Sequence, residues 1–70
     1  MPDHPELRNH LKSLRSRAKI TQAELAKLAH VSRKTINTVE NGVFIPSTIL
    51  SLRLARALEV SVEEIFELIE

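Results

Sequence analysis

Apolar side chains recur along the 70 residues at steps of three and four, the spacing of one face of an α-helix. The first stripe consists of Leu7, Leu11, Leu14 and Ala18. Pro5 suits the first turn of such a helix, because that position needs no backbone N–H. The spacing therefore predicts a first helix over this segment.

Side chains that cap helices recur at four places in the rest of the chain: Thr21, Ser32, Ser47 and Ser61. Two of them complete a capping box, because Glu24 and Glu64 follow three residues later. These signals predict a second helix over about 22–29 and a third over about 33–40, with two more after the last two caps. The residues expected to face the core are Leu25, Leu28, Ala29, Ile36, Val39, Leu52, Ala55, Leu58, Val62, Ile65, Phe66 and Ile69.

The composition suits helices better than a sheet, with one glycine, three prolines and two aromatic residues. We expect an all-α fold of five helices that forms a single domain over residues 1–70. Cysteine is absent, so the chain cannot form a disulfide or a thiolate zinc site. No apolar run approaches the roughly 18 residues of a membrane span, and the first ten residues are too polar for a secretory signal. We therefore expect a cytoplasmic protein with no membrane partner.

Charge is strongly segregated although the formal net charge is only +1. Residues 8–38 contain eight basic side chains and one acidic one, whereas residues 59–70 contain five acidic side chains and no basic one. This distribution favours a polyanionic partner for the first part of the chain, although both sets could also be solvated helix faces.

Only three residues, 30–32, separate the second and third helices, which predicts a helix-turn-helix over about 21–41. The third helix would bury Ile36 and Val39 and expose the opposite face. That face is polar and free of acidic residues, as a groove lined with phosphates requires, and consists of Arg33, Lys34, Asn37 and Thr38. Arg33 can pair with the O6/N7 edge of guanine and Asn37 with the N6/N7 edge of adenine.

The segment TQAELAKLAHVSRKTINTVENG, followed by PS and later by ALEVSVEEIF, resembles the Cro/lambda-repressor-like (XRE-type) helix-turn-helix family over about residues 7–69. The resemblance implies a compact five-helix domain that binds double-stranded DNA as a homodimer, with the third helix in the major groove. It assigns the base-reading role to the exposed face just described. It also implies phosphate contacts by Thr21, Gln22, Ser32, Thr35 and Asn41.

The resemblance further implies an ion pair between Arg15 and Glu40 that ties the first helix to the end of the third. The pair also has a physical reason, since Glu40 is the only acidic residue between Glu24 and Glu59. A carboxylate beside an apolar helix face requires a forked cation such as arginine. We expect this pair to support the third helix and not to contact DNA.

Two positions depart from the family pattern, which commonly places glycine after the second helix and again before the last one. Here these positions are His30 and Glu59, which do not adopt positive φ cheaply. Either the backbone turns differently at these positions, or each residue costs the folded protein about 1 kcal/mol of stability.

The connector after the third helix is apolar where the family usually carries polar residues. Its side chains either fold back onto the core or form a subunit interface, and the last helix supplies further candidates for that interface. The candidate surface consists of Val43, Phe44, Ile45, Ile49, Leu50, Phe66, Leu68 and Ile69.

Together these features predict a sequence-specific DNA-binding transcriptional regulator that represses by occupying a promoter as a homodimer. Two alternatives stay open. One is an antitoxin-type DNA-binding protein that holds a toxin on the apolar surface at residues 43–50. The other is a protein-interaction module that has lost its DNA contacts. We expect no enzyme activity, cofactor or metal, because His4, His10 and His30 do not share a helix face and no glycine-rich phosphate loop is present.

Overall fold

The structure, a computed structural model, describes residues 6–69. Its elements are, in chain order, β1 (Leu7–Asn9), α1 (Leu11–Arg17), α2 (Gln22–Ala29), α3 (Arg33–Glu40), α4 (Thr48–Leu58), α5 (Val62–Ile65) and β2 (Phe66–Leu68). The two strands are antiparallel, with Leu7 opposite Leu68 and Asn9 opposite Phe66. The fold is therefore mostly helical, with the five helices that were predicted, and the all-α prediction omits this small sheet.

The helix starts follow the capping signals of the sequence. At α2 the Thr21 hydroxyl accepts the Glu24 N–H at 3.0 Å, while the Glu24 carboxylate accepts the Thr21 N–H at 2.7 Å. Ser61 and Glu64 form the same reciprocal pair at α5. Ser32 caps the start of α3 and Ser47 that of α4, each through its hydroxyl group and without a reciprocal glutamate. Because each cap satisfies a backbone N–H that lacks a partner within its helix, these residues determine where the helices begin.

A single apolar core receives side chains from all five helices: Leu11, Leu25, Ala26, Ala29, Ile36, Val39, Leu50, Leu54, Ala55 and Ile65. The prediction that Leu28 and Leu52 face this core is wrong, because both side chains are exposed. Leu50 and Leu54, which are one helical turn apart, instead lie on the face of α4 that is buried in the core. Leu50 is therefore a core residue, and its predicted place on a partner surface is also wrong.

The first helix begins later than its apolar stripe suggests. The Asn9 side-chain carbonyl accepts the Leu11 N–H at 2.8 Å, and its amide donates to the Val39 carbonyl on α3. These contacts fix the chain just before α1, and Leu7 lies in β1 and not in a helix. Ala18, the last residue of the stripe, is exposed. The predicted role of Pro5 lies outside the described residues.

The last helix ends at Ile65, after four residues, because the chain then pairs with β1. Phe66 is half-buried against the core in β2, whereas Leu68 and Ile69 are exposed. The Ile69 N–H donates to the Glu6 carbonyl at 3.0 Å, so the pairing extends past the strands. Phe66 therefore packs against the core as predicted, although it lies in a strand and not in the last helix, whereas the prediction that Ile69 faces the core is wrong. No helix within residues 6–69 is long and apolar enough to cross a lipid bilayer.

Candidate nucleic-acid interface

Helices α2 and α3 are joined by residues 30–32 and pack closely against each other. Ile36 and Val39 anchor α3 in the core and are fully buried. Arg33, Lys34 and Asn37 are exposed on α3, as the sequence predicts. Thr38, the fourth residue assigned to base reading, is only half-exposed. The buried residues hold α3 in place, and its polar side chains remain available to a partner.

A hydrogen-bonded network links the exposed face of α3 to α2 through Gln22. The side-chain oxygen of Gln22 accepts from Arg33 Nη1 at 3.1 Å. Its amide nitrogen donates to Asn37 Oδ1 at 3.2 Å and to Glu40 Oε1 at 3.0 Å. Arg33, which can pair with guanine, and Asn37, which can pair with adenine, are therefore both hydrogen-bonded to the side-chain amide of Gln22. Such ordering lowers the conformational entropy that binding would cost.

The sequence predicts Gln22 only as a phosphate contact and does not reveal its place in this network. The sequence offers one indication of such a network, which is that a glutamine side chain can donate and accept hydrogen bonds at the same time. Which side chains it meets depends on how α2 and α3 pack, and no local pattern encodes that packing.

Arg15 and Glu40 form the forked ion pair that the sequence predicts. Arg15 donates from Nε to Glu40 Oε2 at 2.6 Å and from Nη2 to Oε1 at 3.3 Å, and its Nη1 donates to the Ile20 carbonyl at 2.8 Å. The side chains are 13% and 2% exposed, respectively. The hydrogen bonds to Glu40 raise the pKa of Arg15 above its usual value. The pair thus fastens α1 to the end of α3 and neutralises the only acid on α3.

The residues predicted to contact phosphates lie at the ends of α2 and α3. Thr21 and Ser32 are the exposed caps of these helices, and Asn41 is exposed immediately after α3. The Thr35 hydroxyl shares a 3.0 Å hydrogen bond with the Ser32 hydroxyl. Backbone N–H groups at a helix start attract anions, so the starts of α2 and α3 suit phosphate groups, whereas Asn41, at the C-terminal end of α3, has only its side-chain amide to offer.

The electrostatics of this surface favour an anion. Glu40 is the only acidic residue of α3, and because it is buried and paired, the exposed face of α3 has no negative charge. The exposed charged residues of α2 and α3 are the basic Lys27, Arg33 and Lys34 and one acidic residue, Glu24, in the first turn of α2. A polyanion would therefore meet no opposing carboxylate on α3.

Part of the apolar connector lies beside the small sheet. Phe44 and Ile45 line a small crevice together with Leu7 of β1 and Phe66 of β2. Phe44, Ile45, Leu68 and Ile69 are all exposed. Val43 borders a different groove, beside α3, and Ile49 lies on the outer face of α4. The partner surface predicted from the sequence is thus divided, and Val43 and Ile49 lie apart from the crevice between the connector and the sheet.

His10 and His30 lie in different parts of the fold. The His10 ring nitrogen lies 3.0 Å from Glu67 Oε1, across the two strands. His30 occupies the turn between α2 and α3. His4 lies outside the described residues.

The amino-acid sequence of the chain is similar to those of known proteins. A family model described as helix-turn-helix matches residues 11–65. An uncharacterized HTH-type transcriptional regulator of Methanothermobacter thermautotrophicus is 45% identical over 65 residues, which cover 91% of this chain and 88% of the relative. One from Methanocaldococcus jannaschii is 40% identical over 60 residues, or 86% of this chain and 91% of the relative. The Bacillus subtilis regulator YgzD is 33% identical over 64 residues, or 91% and 97% of the two chains.

Proposed function

This chain belongs to the helix-turn-helix family, and from that membership we propose that it is a sequence-specific regulator of transcription that binds double-stranded DNA. The observation that carries the proposal is the exposed face of α3. It combines base-matching side chains, a bracing network and no exposed acid. The printed names of the relatives, HTH-type transcriptional regulators, agree with it.

In this proposal α2 and α3 are the helix-turn-helix, and α3 enters the major groove. The first residues of a recognition helix contact base edges, which suits Arg33 for guanine and Asn37 for adenine. Lys34 supplies a further donor on the same face. Phosphates lie against the starts of α2 and α3 and against Asn41, where they fix the orientation of the protein without reading sequence.

The regulator acts as a homodimer through the surface of the connector and the sheet. Exposed apolar side chains from two parts of the chain meet there, which is typical of a subunit interface. A two-fold dimer would present two copies of α3 to half-sites one helical turn apart. Repression by occupying a promoter is the proposed outcome, because DNA binding alone is sufficient for it.

Selection from random duplexes, followed by a salt titration of the preferred duplex, tests this function. We expect a palindromic sequence and an affinity that falls steeply with salt, with a slope of about −0.9 per phosphate contact. Gln22→Ala should weaken binding, while Leu52→Ala, on an exposed side of α4, serves as the unaffected control. No enrichment of any duplex, or an affinity independent of salt, would remove the proposal and favour a protein-interaction module.

A further inference from the structure

The outer face of α4 carries two arginine side chains that remain unpaired within residues 6–69. Arg53 and Arg56 are both exposed, and neither guanidinium forms a hydrogen bond or an ion pair with the described part of the chain. They stand three residues apart, so their charges lie side by side on one face of the helix. Residues 41–58 contain no acidic side chain that would offset them. This part of α4 therefore favours a partner with negative charge.

Two apolar hollows adjoin these arginines. One hollow of about 410 Å³ lies between α2 and α4, where Leu28 and Ala57 line it together with His30 and both arginines. The other, of about 230 Å³, is lined by Ile49, Leu52 and the same two arginines. Because the hollows share both arginines, they form a single surface with its positive charge where they meet. We call it the α4 surface.

Three large apolar side chains of the α4 surface are turned to solvent. Leu28 is 55% exposed, Leu52 58% and Ile49 63%. The helical spacing predicts both leucines in the core, whereas the structure fills the core from other positions of α2 and α4. Apolar side chains that the core does not require, and that gather at one place, are typical of a surface that binds another macromolecule.

The composition of the α4 surface distinguishes between the partners it would accept. DNA would match the arginines, but its phosphate backbone offers nothing apolar to Leu28 and Leu52. A second α4 surface, packed by two-fold symmetry, would bring like charges together. A small ligand would remain largely in solvent, because most side chains around both hollows are exposed, whereas small-molecule sites bury most of the ligand. A protein segment that carries carboxylates between apolar side chains matches both features of the surface.

We propose that the α4 surface binds an acidic amphipathic helix of a partner protein. Such a helix presents carboxylates three or four residues apart, opposite Arg53 and Arg56, with apolar side chains beside them in the two hollows. Each guanidinium can hold a carboxylate through two hydrogen bonds. The α4 surface shares no residue with the exposed face of α3, so this partner would bind at a site separate from the proposed DNA site. Ile49 is thereby assigned to the α4 surface and not to the subunit interface.

A synthetic helix tests this surface on the full chain. The probe is a fluorescein-labelled peptide of about 18 residues, long enough to form a helix, with two glutamates four residues apart between leucines on one face. Fluorescence anisotropy at low salt measures its affinity. One control peptide has glutamine in place of both glutamates, and another has alanine in place of the leucines. We expect saturable binding of the acidic peptide, and binding at least about tenfold weaker for each control peptide.

Paired substitutions locate the contact on the protein. The variant with Arg53→Gln and Arg56→Gln should bind the acidic peptide about tenfold more weakly and the glutamine peptide as the wild type does. The matched control has Lys12→Gln and Arg17→Gln, which remove the same charge from exposed positions of α1 and should keep the wild-type affinity. Leu28→Ala should weaken the binding of both peptides, because it removes an apolar contact. Thermal melting of each variant verifies that it is folded.

Charge reversal provides a second test. The variant with Arg53→Glu and Arg56→Glu should reject the acidic peptide and bind a peptide with lysines in place of its glutamates, since the paired charges are exchanged. The same reversal at Lys12 and Arg17 should not create binding of the lysine peptide. Equal binding of the lysine peptide by the two reversed variants would indicate a general attraction between charges and would contradict a defined contact on α4.

Three further results would overturn the inference. They are an acidic peptide that does not bind, equal affinities for the glutamate and glutamine peptides, and an equal loss of affinity in the α1 and α4 variants. A loss that follows Arg33→Gln instead would place the peptide on the face of α3, and a wild-type dimer that dissociates in the α4 variant would place a second copy on this surface. Either result would also overturn it. Assays of DNA binding and of dimerisation contain no partner helix, so the Leu52 variants remain suitable controls in them.

Discussion

Three residues other than glycine adopt the left-handed backbone conformation among residues 6–69. Lys19, His30 and Glu59 have φ values of 62°, 61° and 58°. At the last two, where the family usually has glycine, the sequence leaves open a different turn or a loss of stability, and the positive φ values show that the backbone keeps the left-handed turn. Lys19, after α1, was not predicted. A side chain with a Cβ atom costs roughly 1–2 kcal/mol in this conformation.

We expect glycine at His30 or Glu59 to stabilise the protein. Relief of backbone strain should exceed the extra flexibility of glycine in the unfolded chain, for a net gain of about 0.5–1 kcal/mol per site. Urea unfolding of His30→Gly and Glu59→Gly measures the free energy of unfolding. Lys27→Gly, on an exposed face of α2, should lose about 1 kcal/mol as a control. A loss of stability in either glycine variant would contradict the claim that His30 and Glu59 strain the backbone of these turns.

At the scale of elements, the position of α3 depends on contacts with both preceding helices. Arg15 of α1 and Gln22 of α2 both donate to the Glu40 carboxylate at the end of α3. A carboxylate that is almost fully buried requires such partners, because an unpaired buried charge is costly. Glu40 thus joins three helices without reaching the exposed face.

Glu40→Gln tests this junction. We expect a loss of about 2–3 kcal/mol in the free energy of unfolding, because Arg15 loses its charged partner in a largely buried site. Arg15→Lys keeps the charge but not the fork, so a smaller loss is expected. Chemical denaturation measures both variants, with Arg17→Lys as a control on the exposed side of α1. Unchanged stability in Glu40→Gln would show that the junction is not structural.

The sheet brings the two ends of the described chain together. Glu67 of β2 lies 3.0 Å from the His10 ring and 3.8 Å from the Arg8 guanidinium. The hydrogen bond with His10 lowers the pKa of Glu67 below its usual value, and the charge of Arg8 acts in the same direction. Since the folded pKa lies below the unfolded one, this interaction stabilises the fold above the unfolded pKa and is lost as the pH falls through the folded pKa.

Glu67→Gln should therefore lower the melting temperature at neutral pH and make no difference in strong acid, where the wild-type carboxylate is protonated in both states. Melting curves across the acid range measure this convergence. Glu63→Gln removes the same charge from α5 and serves as the control. An equal decrease for Glu67→Gln at all pH values would contradict the assignment of the effect to the charged carboxylate.

The helices around the site could be predicted from the sequence, whereas the sheet and the Gln22 network could not. Thr21, Ser32 and Gly42 act through the backbone next to them, so their signals are local. The strands have only three residues each, and β1 pairs with a segment near the other end of the chain. Leu7 stands four residues before Leu11, a spacing that fits a helix and a strand equally well.

At the scale of the whole molecule, residues that are distant in sequence combine into two surfaces. The exposed face of α3 is polar and free of acid, while the connector and the sheet form the apolar surface. A short chain buries a small core, so apolar surface shared between two subunits would add to its stability. In the proposed function these two surfaces bind two different partners, DNA and a second copy of the chain.

Ile45→Glu should dissociate the proposed homodimer, because it places a charge in the apolar interface. Leu52→Glu is the matched control, since the two side chains are 52% and 58% exposed and only Ile45 lies at the connector. Sedimentation equilibrium should find a dimer for the wild type and Leu52→Glu, and a monomer for Ile45→Glu. A monomeric wild type at high micromolar concentration in low salt would contradict the homodimer.

The central claim is that α3 reads a DNA sequence, and competition binding tests it most directly. The measurement compares the affinity for the selected duplex with that for a shuffled duplex of equal length and composition, at one salt concentration. We expect the selected duplex to bind at least about 10³-fold more tightly. Asn37→Ala should lower this ratio by about tenfold, with the affinity for the shuffled duplex unchanged. Equal affinity of the wild-type protein for both duplexes would contradict the claim.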